Sequence, residues 1–383
     1  MSLLRQKIIE KINLEGPVSF ESFMEMALYY PGLGYYMKDS TRIGRGGDFY
    51  TSPHLHPIFG AMIGRQMEEM WNIMGNPGIF QVVEMGAGIG YIARDMLNYL
   101  KGSNGKGSWG EKDIFQHLEY TIVELNPFIK AEQQRLLSEF IDKVTWISSL
   151  KELKSVKGCF LSNELLDAFP VRLVEMDDEL MEIYVSEDNG NFIETKRTCI
   201  DNIKDYFMQF SIEPFRDFVR GYRTEVNLRA REWLRGVSNK LSEGFVMTID
   251  YGYPAGEYYS EERNRGTLLC YHQHQIKEDP YQNVGEQDIT AHVNFSALKK
   301  WGEEAGLKTL GFCPQGTYLI AIGFAEAIKE LYGDSPDVFE IAKIKGLILP
   351  QGMGESHKVM IQYKGDSNLK LKGFSLRDNT GKL

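Results

Sequence analysis

The sequence predicts an α/β protein with a Rossmann-like core, an N-terminal helical extension and an inserted lobe between the fourth and fifth strands of the sheet. Three observations carry this. Short β-rich runs alternate with helical stretches from Phe80 to Asp250, the pattern of a parallel sheet covered on both faces. An acid and three alternate glycines, Glu84-Met85-Gly86-Ala87-Gly88-Ile89-Gly90, stand where the first strand passes into a helix. More residues separate the fourth and fifth strands than one crossover helix requires. The expected division is 1–78 for the extension with a glycine- and tyrosine-rich lid, 79–172 and 244–383 for the core, and 173–243 for the lobe.

In chain order, Leu3 to Ile12 and Phe20 to Leu28 read as helices, the second capped by Ser19 after Pro17. A loop rich in glycine and tyrosine follows, from Tyr30 to Pro53. Ile58 to Met74 carries apolar residues at helical spacing and stops at Gly75 and Pro77. Then come strand Phe80 to Glu84, helix Tyr91 to Leu100, a surface loop around Trp109 to Gln116, strand Tyr120 to Glu124, helix Phe128 to Phe140, and strands Val144 to Ile147 and Gly158 to Ser162. In the lobe, Leu173 to Tyr184 alternates like a strand or hairpin, and Ile200 to Arg220 and Glu225 to Leu241 look helical. After strand Phe245 to Asp250 the pattern predicts a long loop, a helix from Asn294 to Ala305 ended by Gly306, and strands Leu307 to Phe312, Thr317 to Ile322 and His357 to Tyr363.

Composition narrows the function classes. With 43 basic and 53 acidic side chains the net charge is -10, which argues against sequence-independent binding to nucleic acid and against an anionic membrane surface. No run approaches the roughly 18 to 20 apolar residues of a membrane span. Cys159, Cys199, Cys270 and Cys313 form no C-x-x-C pair, so neither a disulfide framework nor a zinc knuckle is suggested. A reducing, cytoplasmic setting is the expectation.

The glycine turn identifies a ligand class. It lets the chain bend sharply under a ligand with backbone N–H groups facing it. Dinucleotide enzymes use G-x-G-x-x-G; here the spacing is E-x-G-x-G-x-G. A carboxylate at the strand end suits the ammonium of an amino-acid moiety better than a pyrophosphate. Glu124 closes the next strand, where an acid can accept hydrogen bonds from both ribose hydroxyls. The cofactor these features predict is S-adenosyl-L-methionine, and the core is expected to be of the class I methyltransferase type. The candidate cofactor residues are Glu84, Gly86, Ala87, Gly88, Gly90, Glu124 with its neighbour Leu125, Ser148 and Ser149 after the third strand for adenine, and Asn163. The alternative is that the glycines only relieve crowding between helix and strand.

Several longer stretches resemble one family, the MidA and complex I assembly factor methyltransferases of bacteria and mitochondria. They are Tyr30-Pro31-Gly32-Leu33-Gly34-Tyr35-Tyr36, Gly47-Asp48-Phe49-Tyr50-Thr51-Ser52-Pro53, the cofactor loop, Ser162-Asn163-Glu164-Leu165-Leu166-Asp167-Ala168-Phe169-Pro170-Val171, Ile249-Asp250-Tyr251-Gly252, Arg265-Gly266-Thr267-Leu268 and Gln287-Asp288-Ile289-Thr290-Ala291-His292-Val293. The resemblance implies a protein arginine methyltransferase whose substrate is a protein, a respiratory complex subunit in the mitochondrial relative. The chain departs from the family at His54, where Glu is usual, and at Asn294, where an acid is usual.

Methyl transfer from a sulfonium is an in-line displacement that needs an acceptor held in place. An arginine guanidinium, with a pKa above about 12, calls for carboxylates that orient it and spread its charge. Glu164 and Asp167, just after the fourth strand, are the catalytic candidates. Their alternatives are an ion pair for Glu164 and a helix cap for Asp167. Asp250 reads either as a further acid for the acceptor or as a structural strand-end acid, and His292 as a candidate for proton transfer or a loop histidine. His54 with His56, and His272 with His274, lack partners at metal-site spacing, so no metal is expected. The arginines from Arg216 to Arg235 form either a solvated helical face or a docking surface for an acidic protein, and Tyr29 to Tyr36 either a lid over the cofactor or plain packing. A chain that keeps the cofactor site as an assembly factor without catalysing transfer, and a methyltransferase with a non-arginine acceptor, are the competing functions.

Overall fold

A computed structural model of the chain describes residues 2–38, 52–102, 112–273, 275–333, 338–366 and 368–383. The backbone divides into two compact units: a core unit of Ile43–Leu165, Leu234–Gly252 and Leu298–Leu383, and a lobe unit of Met1–Arg42, Leu166–Trp233 and Tyr253–Ala297.

Among the described residues, the core unit contributes to its sheet the strands β1 (Phe80–Met85), β2 (Leu118–Val123), β3 (Val144–Ile147), β4 (Val156–Asn163), β5 (Leu241–Tyr253), β6 (Lys308–Pro314) and β7 (His357–Lys364). Their order is β3-β2-β1-β4-β5-β7-β6. The pairs from β3 through β5 are parallel, and β7 runs antiparallel to both neighbours. β4 is buried along nearly its whole length, as a strand covered on both faces must be. The strand order reverses between β1 and β4, and open α/β sheets bind ligands outside the carboxyl ends of the strands at such a point. Register makes this rim level. Met85 lies opposite Val123 on one side and Ser162 on the other, so Gly86, Glu124 and Asn163 stand level at the carboxyl rim.

Helix α1 (Ile58–Ile73) packs on α2 (Tyr91–Lys101) through two glycines one helical turn apart. A Cβ on Gly60 would lie 2.6 Å from the Cβ of Asp95, and one on Gly64 would lie 2.7 Å from Cδ1 of Tyr99. That close approach holds the helix which begins at the glycine turn. Helix α3 (Pro127–Leu136) starts with Asn126 accepting from the N–H of Phe128 at 2.9 Å and with Pro127 at its first position.

The lobe unit contains the helices Leu3–Glu15 and Phe20–Tyr29, with Ser19 capping the second as expected. It also has an antiparallel sheet of Val18–Ser19, Arg172–Met176, Leu180–Asp188, Asn191–Thr198 and Arg223–Val226, and a smaller one of Leu269–His272, Gln275–Lys277 and Asp288–Thr290. The sequence drew the N-terminal extension and the lobe as separate pieces and gave 253–297 to the core. The structure joins them for a plain reason. The apolar faces of the first two helices (Leu4, Ile8, Phe20, Phe23, Met24) bury against Val171, Leu173, Ile183, Val185 and Ile289 in one hydrophobic cluster.

Several secondary-structure expectations need correction, among them the long loop after β5, which carries the strands Leu269–His272, Gln275–Lys277 and Asp288–Thr290. Thr317 to Ile322 is not a strand but part of helix Gln315–Ala321: the buried residues Gln315, Tyr318 and Leu319 recur at 3.6-residue spacing, which the β-branched residues disguise. The stretch from Glu225 begins as an edge strand, and only Arg229–Lys240 is helical. In the Trp109 to Gln116 loop, residues 109–111 lie outside the described residues, and Ile114–His117 is a short helix. All four cysteines are buried and free.

Candidate active site

The glycine turn has the backbone its residues were expected to permit. Gly86, Gly88 and Gly90 have φ of 74°, 53° and 93°, all in the left-handed region. Their surroundings differ. A Cβ on Gly86 would lie 2.9 Å from Cδ1 of Leu165, whereas one on Gly88 would meet nothing within 4 Å. The turn therefore presents open space at Gly88, where backbone can approach a ligand. Ala87, between them, accepts from the N–H of Gly90 at 2.9 Å and closes the turn.

Glu84 is set deeper than a strand-end acid was expected to be. It is 1% exposed and accepts a hydrogen bond from the Tyr120 hydroxyl at 2.6 Å. Burial raises its pKa to about 7 against the opposing effect of that hydrogen bond.

Glu124 sits at the rim with both carboxylate oxygens engaged. Oε1 accepts from the N–H of Asn126 at 2.7 Å and Oε2 from the Gln133 amide at 3.1 Å. Burial raises its pKa, partly offset by these hydrogen bonds. Leu125 beside it is 60% exposed, an apolar surface at the mouth of the site.

Ser148 and Ser149 have local partners. Oε1 of Glu152 accepts from Ser148 N at 2.8 Å, Ser148 Oγ at 2.7 Å and Ser149 N at 3.0 Å, and Ser149 caps the short turn Leu150–Glu152. The hydrogen bonds from Ser148 hold the Glu152 carboxyl below its ordinary range. These serines thus shape the loop after β3.

At the other side of the switch point, Asn163 is 7% exposed and its Oδ1 is buried without a hydrogen-bond partner, the kind of orphaned acceptor a ligand satisfies. Its Nδ2 donates to Oε1 of Glu164 at 3.3 Å. Glu164 itself has φ of 48°, rare for a residue with a side chain, and its Oε1 lies 3.6 Å from Nε2 of the buried His357. Two backbone contacts brace the turn: Glu164 N donates to Ile249 O at 2.8 Å, and Leu165 N to Asp250 Oδ2 at 3.2 Å. Asp250 is fully buried and accepts from Tyr251 N as well, so its structural reading fits these contacts.

Asp167 belongs to the lobe unit, whereas Glu164 follows a strand of the core unit, so the two are not described as one pair. Asp167 is 5% exposed, its carbonyl accepts from Ala291 N at 2.9 Å, and its charge helps raise the pKa of Tyr29, where desolvation is the larger cause. Tyr29 and Tyr36 stack with centroids 5.5 Å apart, Tyr29 donates to Ala168 O and Tyr36 to Asp288 Oδ2. These contacts are packing within the lobe, against the lid reading.

Other expectations resolve locally. His56 accepts from Ile58 N through Nδ1 at 3.0 Å and meets Tyr332 and Glu340 through Nε2, so both nitrogens are used. The side chain of His54 and all of His274 lie outside the described residues, and His272 contacts the Glu286 carbonyl. Among the described residues no cluster fit to hold a metal occurs. Asn294 caps the following helix, accepting from Ala297 N at 3.2 Å and donating to the Tyr206 hydroxyl at 2.9 Å, a use that needs no acid. The amide of His292 donates to Thr267 Oγ1. Arg216, Arg220, Arg223 and Arg229 each pair with carboxylates of the lobe itself, which favours the solvated-face reading. Sequence reasoning passed over Tyr120, Gln133, Trp146 and His357. The readable signal was Gln133, a polar residue four after Ile129 on the inward face of α3.

A family model described as "Putative S-adenosyl-L-methionine-dependent methyltransferase" matches residues 62–313. The chain belongs to this family. A Burkholderia thailandensis protein whose crystal structure holds S-adenosyl-homocysteine is 31% identical, with a TM-score of 0.87 over 99% of this chain and 96% of that one. Among curated relatives, the mitochondrial protein arginine methyltransferase NDUFAF7 of Danio rerio is 27% identical over 91% of this chain and 84% of its own length. The Caenorhabditis elegans NDUFAF7 homolog, also mitochondrial, is 24% identical over 98% and 87%. The resemblance read from the motifs is thus borne out. The methyltransferase uses S-adenosyl-L-methionine, and the open, left-handed glycine turn with its orphaned Asn163 acceptor fits that cofactor. The cytoplasmic expectation is overturned, because these relatives are named mitochondrial. It failed because negative charge and cysteine usage do not distinguish one reducing aqueous compartment from another. Among the described residues no helix is long and apolar enough to cross a membrane.

Proposed function

We propose that this methyltransferase modifies an arginine side chain of a protein, with Glu164 as the carboxylate that receives the guanidinium. The observation that carries the reading is Glu164 itself: a side-chain-bearing residue held in a left-handed turn at the carboxyl end of β4, next to the strand that leads into the cofactor turn. Backbone strain of this sort costs about 1 to 3 kcal/mol and persists where function needs the side chain aimed. The naming of the curated relatives as protein arginine methyltransferases points the same way.

The bound cofactor supplies an electrophilic methyl group on sulfur. The carboxylate of Glu164 accepts hydrogen bonds from two guanidinium N–H groups and concentrates the positive charge on their side, which leaves the remaining nitrogen better able to attack. The carbon–nitrogen bond forms as the carbon–sulfur bond breaks, sulfur keeps the bonding pair, and the nitrogen gives up a proton to a carboxylate or water. The protein acceptor, on the family resemblance, is a respiratory complex subunit.

The test is incubation of the purified chain with methyl-labelled cofactor and a mitochondrial protein extract, followed by mass spectrometry of the labelled product. Label on arginine is expected. Label confined to lysine, to a carboxylate or to a small molecule overturns the acceptor assignment.

A further inference from the structure

We propose that Gln133 is a positioning residue for the cofactor: one buried amide that locks the glycine turn and the ribose acid into a single cradle. Gln133 lies on α3, fully buried. Its Nε2 donates to the carbonyl of Gly88 at 2.7 Å and to Oε2 of Glu124 at 3.1 Å, while its Oε1 accepts from the indole N–H of Trp146 at 3.0 Å. The orientation of the amide is settled by its partners. A carbonyl and a carboxylate can only accept and an indole N–H can only donate, so the flipped amide would lose all three contacts.

These partners come from the ends of three adjacent strands. Gly88 follows β1, Glu124 follows β2, and Trp146 lies in β3. Beside these polar partners lie apolar side chains, since a Cβ on Gly90 would touch Leu136 and Leu137 as well as Gln133. A methionine would fill such a space, so volume does not demand an amide here. What the amide adds is direction. A peptide unit is planar and trans, so a Gly88 carbonyl drawn to Gln133 turns the N–H of Ile89 the opposite way. With Asn126 N on one oxygen and Gln133 on the other, the Glu124 carboxylate has its plane fixed before any ligand arrives. Binding then spends little on ordering the group that meets the ribose diol.

The experiment is calorimetric titration of the full chain with S-adenosylhomocysteine, with thermal unfolding recorded for each variant. Gln133→Met is expected to weaken binding about tenfold or more, the size of one or two lost hydrogen bonds to a charged network. If Gln133 acts through Glu124, the loss shrinks when Glu124→Gln is already present. Gln133→Glu keeps the shape but sets a second acid against Glu124 and the Gly88 carbonyl, so its affinity should fall as pH rises and recover on acidification, a dependence a purely structural residue would not create. Trp146→Phe, which frees the amide to turn, should give a smaller loss in the same direction. Gln133→Met binding as the wild type does overturns the inference, and so does a loss fully additive with Glu124→Gln. If the methionine variant does not fold, a pH-independent affinity in Gln133→Glu together with unaltered binding in Trp146→Phe overturns it.

Discussion

The hydroxyl of Tyr120 donates a 2.6 Å hydrogen bond to Oε2 of Glu84, between two adjacent strands and out of contact with solvent. An acid that the sequence places at the lip of the cofactor turn is thereby part of the interior. Removing a carboxylate from water disfavours its charged form, and one hydroxyl donor does not make up the difference. The result is a group poised to change charge near neutrality.

That poise should be visible in stability. The folded-state pKa of Glu84, about 7, lies above its ordinary value of 4.5. Its contribution to stability is therefore complete below the ordinary value and is lost as pH rises through about 7. Glu84→Gln keeps an acceptor for Tyr120 and removes the charge. It should leave stability nearly unchanged at pH 4.5 and raise it at pH 8, by on the order of 3 kcal/mol relative to the wild type. Denaturant unfolding at the two pH values checks this, and a difference that does not grow with pH would show that Glu84 stays ionised in the folded chain.

Glu124→Ala should weaken S-adenosylhomocysteine binding by about 1 to 3 kcal/mol, the loss of hydrogen bonds from the ribose to a carboxylate. Folding should survive, since the partners of the carboxylate, Asn126 N and the Gln133 amide among them, lie at the rim of the sheet and not in its apolar core. Calorimetry with parallel thermal unfolding separates the two effects. Unaltered affinity would remove Glu124 from the site.

Much of the core was legible because its signals are local. The strand-to-helix turn at Gly86 to Gly90 and the alternation of β and α stretches each follow from residue type and spacing, and both stand in the structure. What was not legible depends on partners distant in sequence. Gln133 finds Gly88 45 residues earlier, and Tyr120 finds Glu84 36 residues earlier. The left-handed φ of Glu164 could not be read either, because nothing in glutamate announces it; the bracing from Ile249 and Asp250 imposes it. The helix at Gln315–Ala321 was misread because β-branched Thr317, Ile320 and Ile322 obscure a helical burial pattern.

The α1–α2 contact offers a test of what holds the turn. Gly64 faces Tyr99 and Gly60 faces Asp95, each closer than a Cβ tolerates. Gly64→Val should cost more than about 1 to 3 kcal/mol, because the side chain must displace Tyr99 or push the helices apart. S-adenosylhomocysteine affinity should fall with it, since Gly90 of the turn is the N-cap of α2. A valine variant of wild-type stability would mean that the helices are free to separate without loss.

The last prediction separates strain from function at Glu164. A glycine there adopts φ of 48° without penalty, so Glu164→Gly relieves the strain but raises the chain entropy of the unfolded state, two effects of about 1 kcal/mol each and opposite in sign. Stability should stay within about 1 kcal/mol of the wild type. Cofactor affinity should hold to within a few-fold, because the glycine turn and Glu124 are untouched and Asn163 loses only its long 3.3 Å hydrogen bond to Glu164. Methyl transfer should be lost, and Glu164→Gln should lose it too, since an amide keeps the size of the side chain but not the charge that holds a guanidinium. Transfer assays with labelled cofactor, run beside calorimetry and thermal unfolding, distinguish the cases. A glycine variant that still transfers methyl groups at the normal rate would mean that the turn is strained for the sake of the bracing from Asp250 alone, and the acceptor carboxylate would have to be sought at another position.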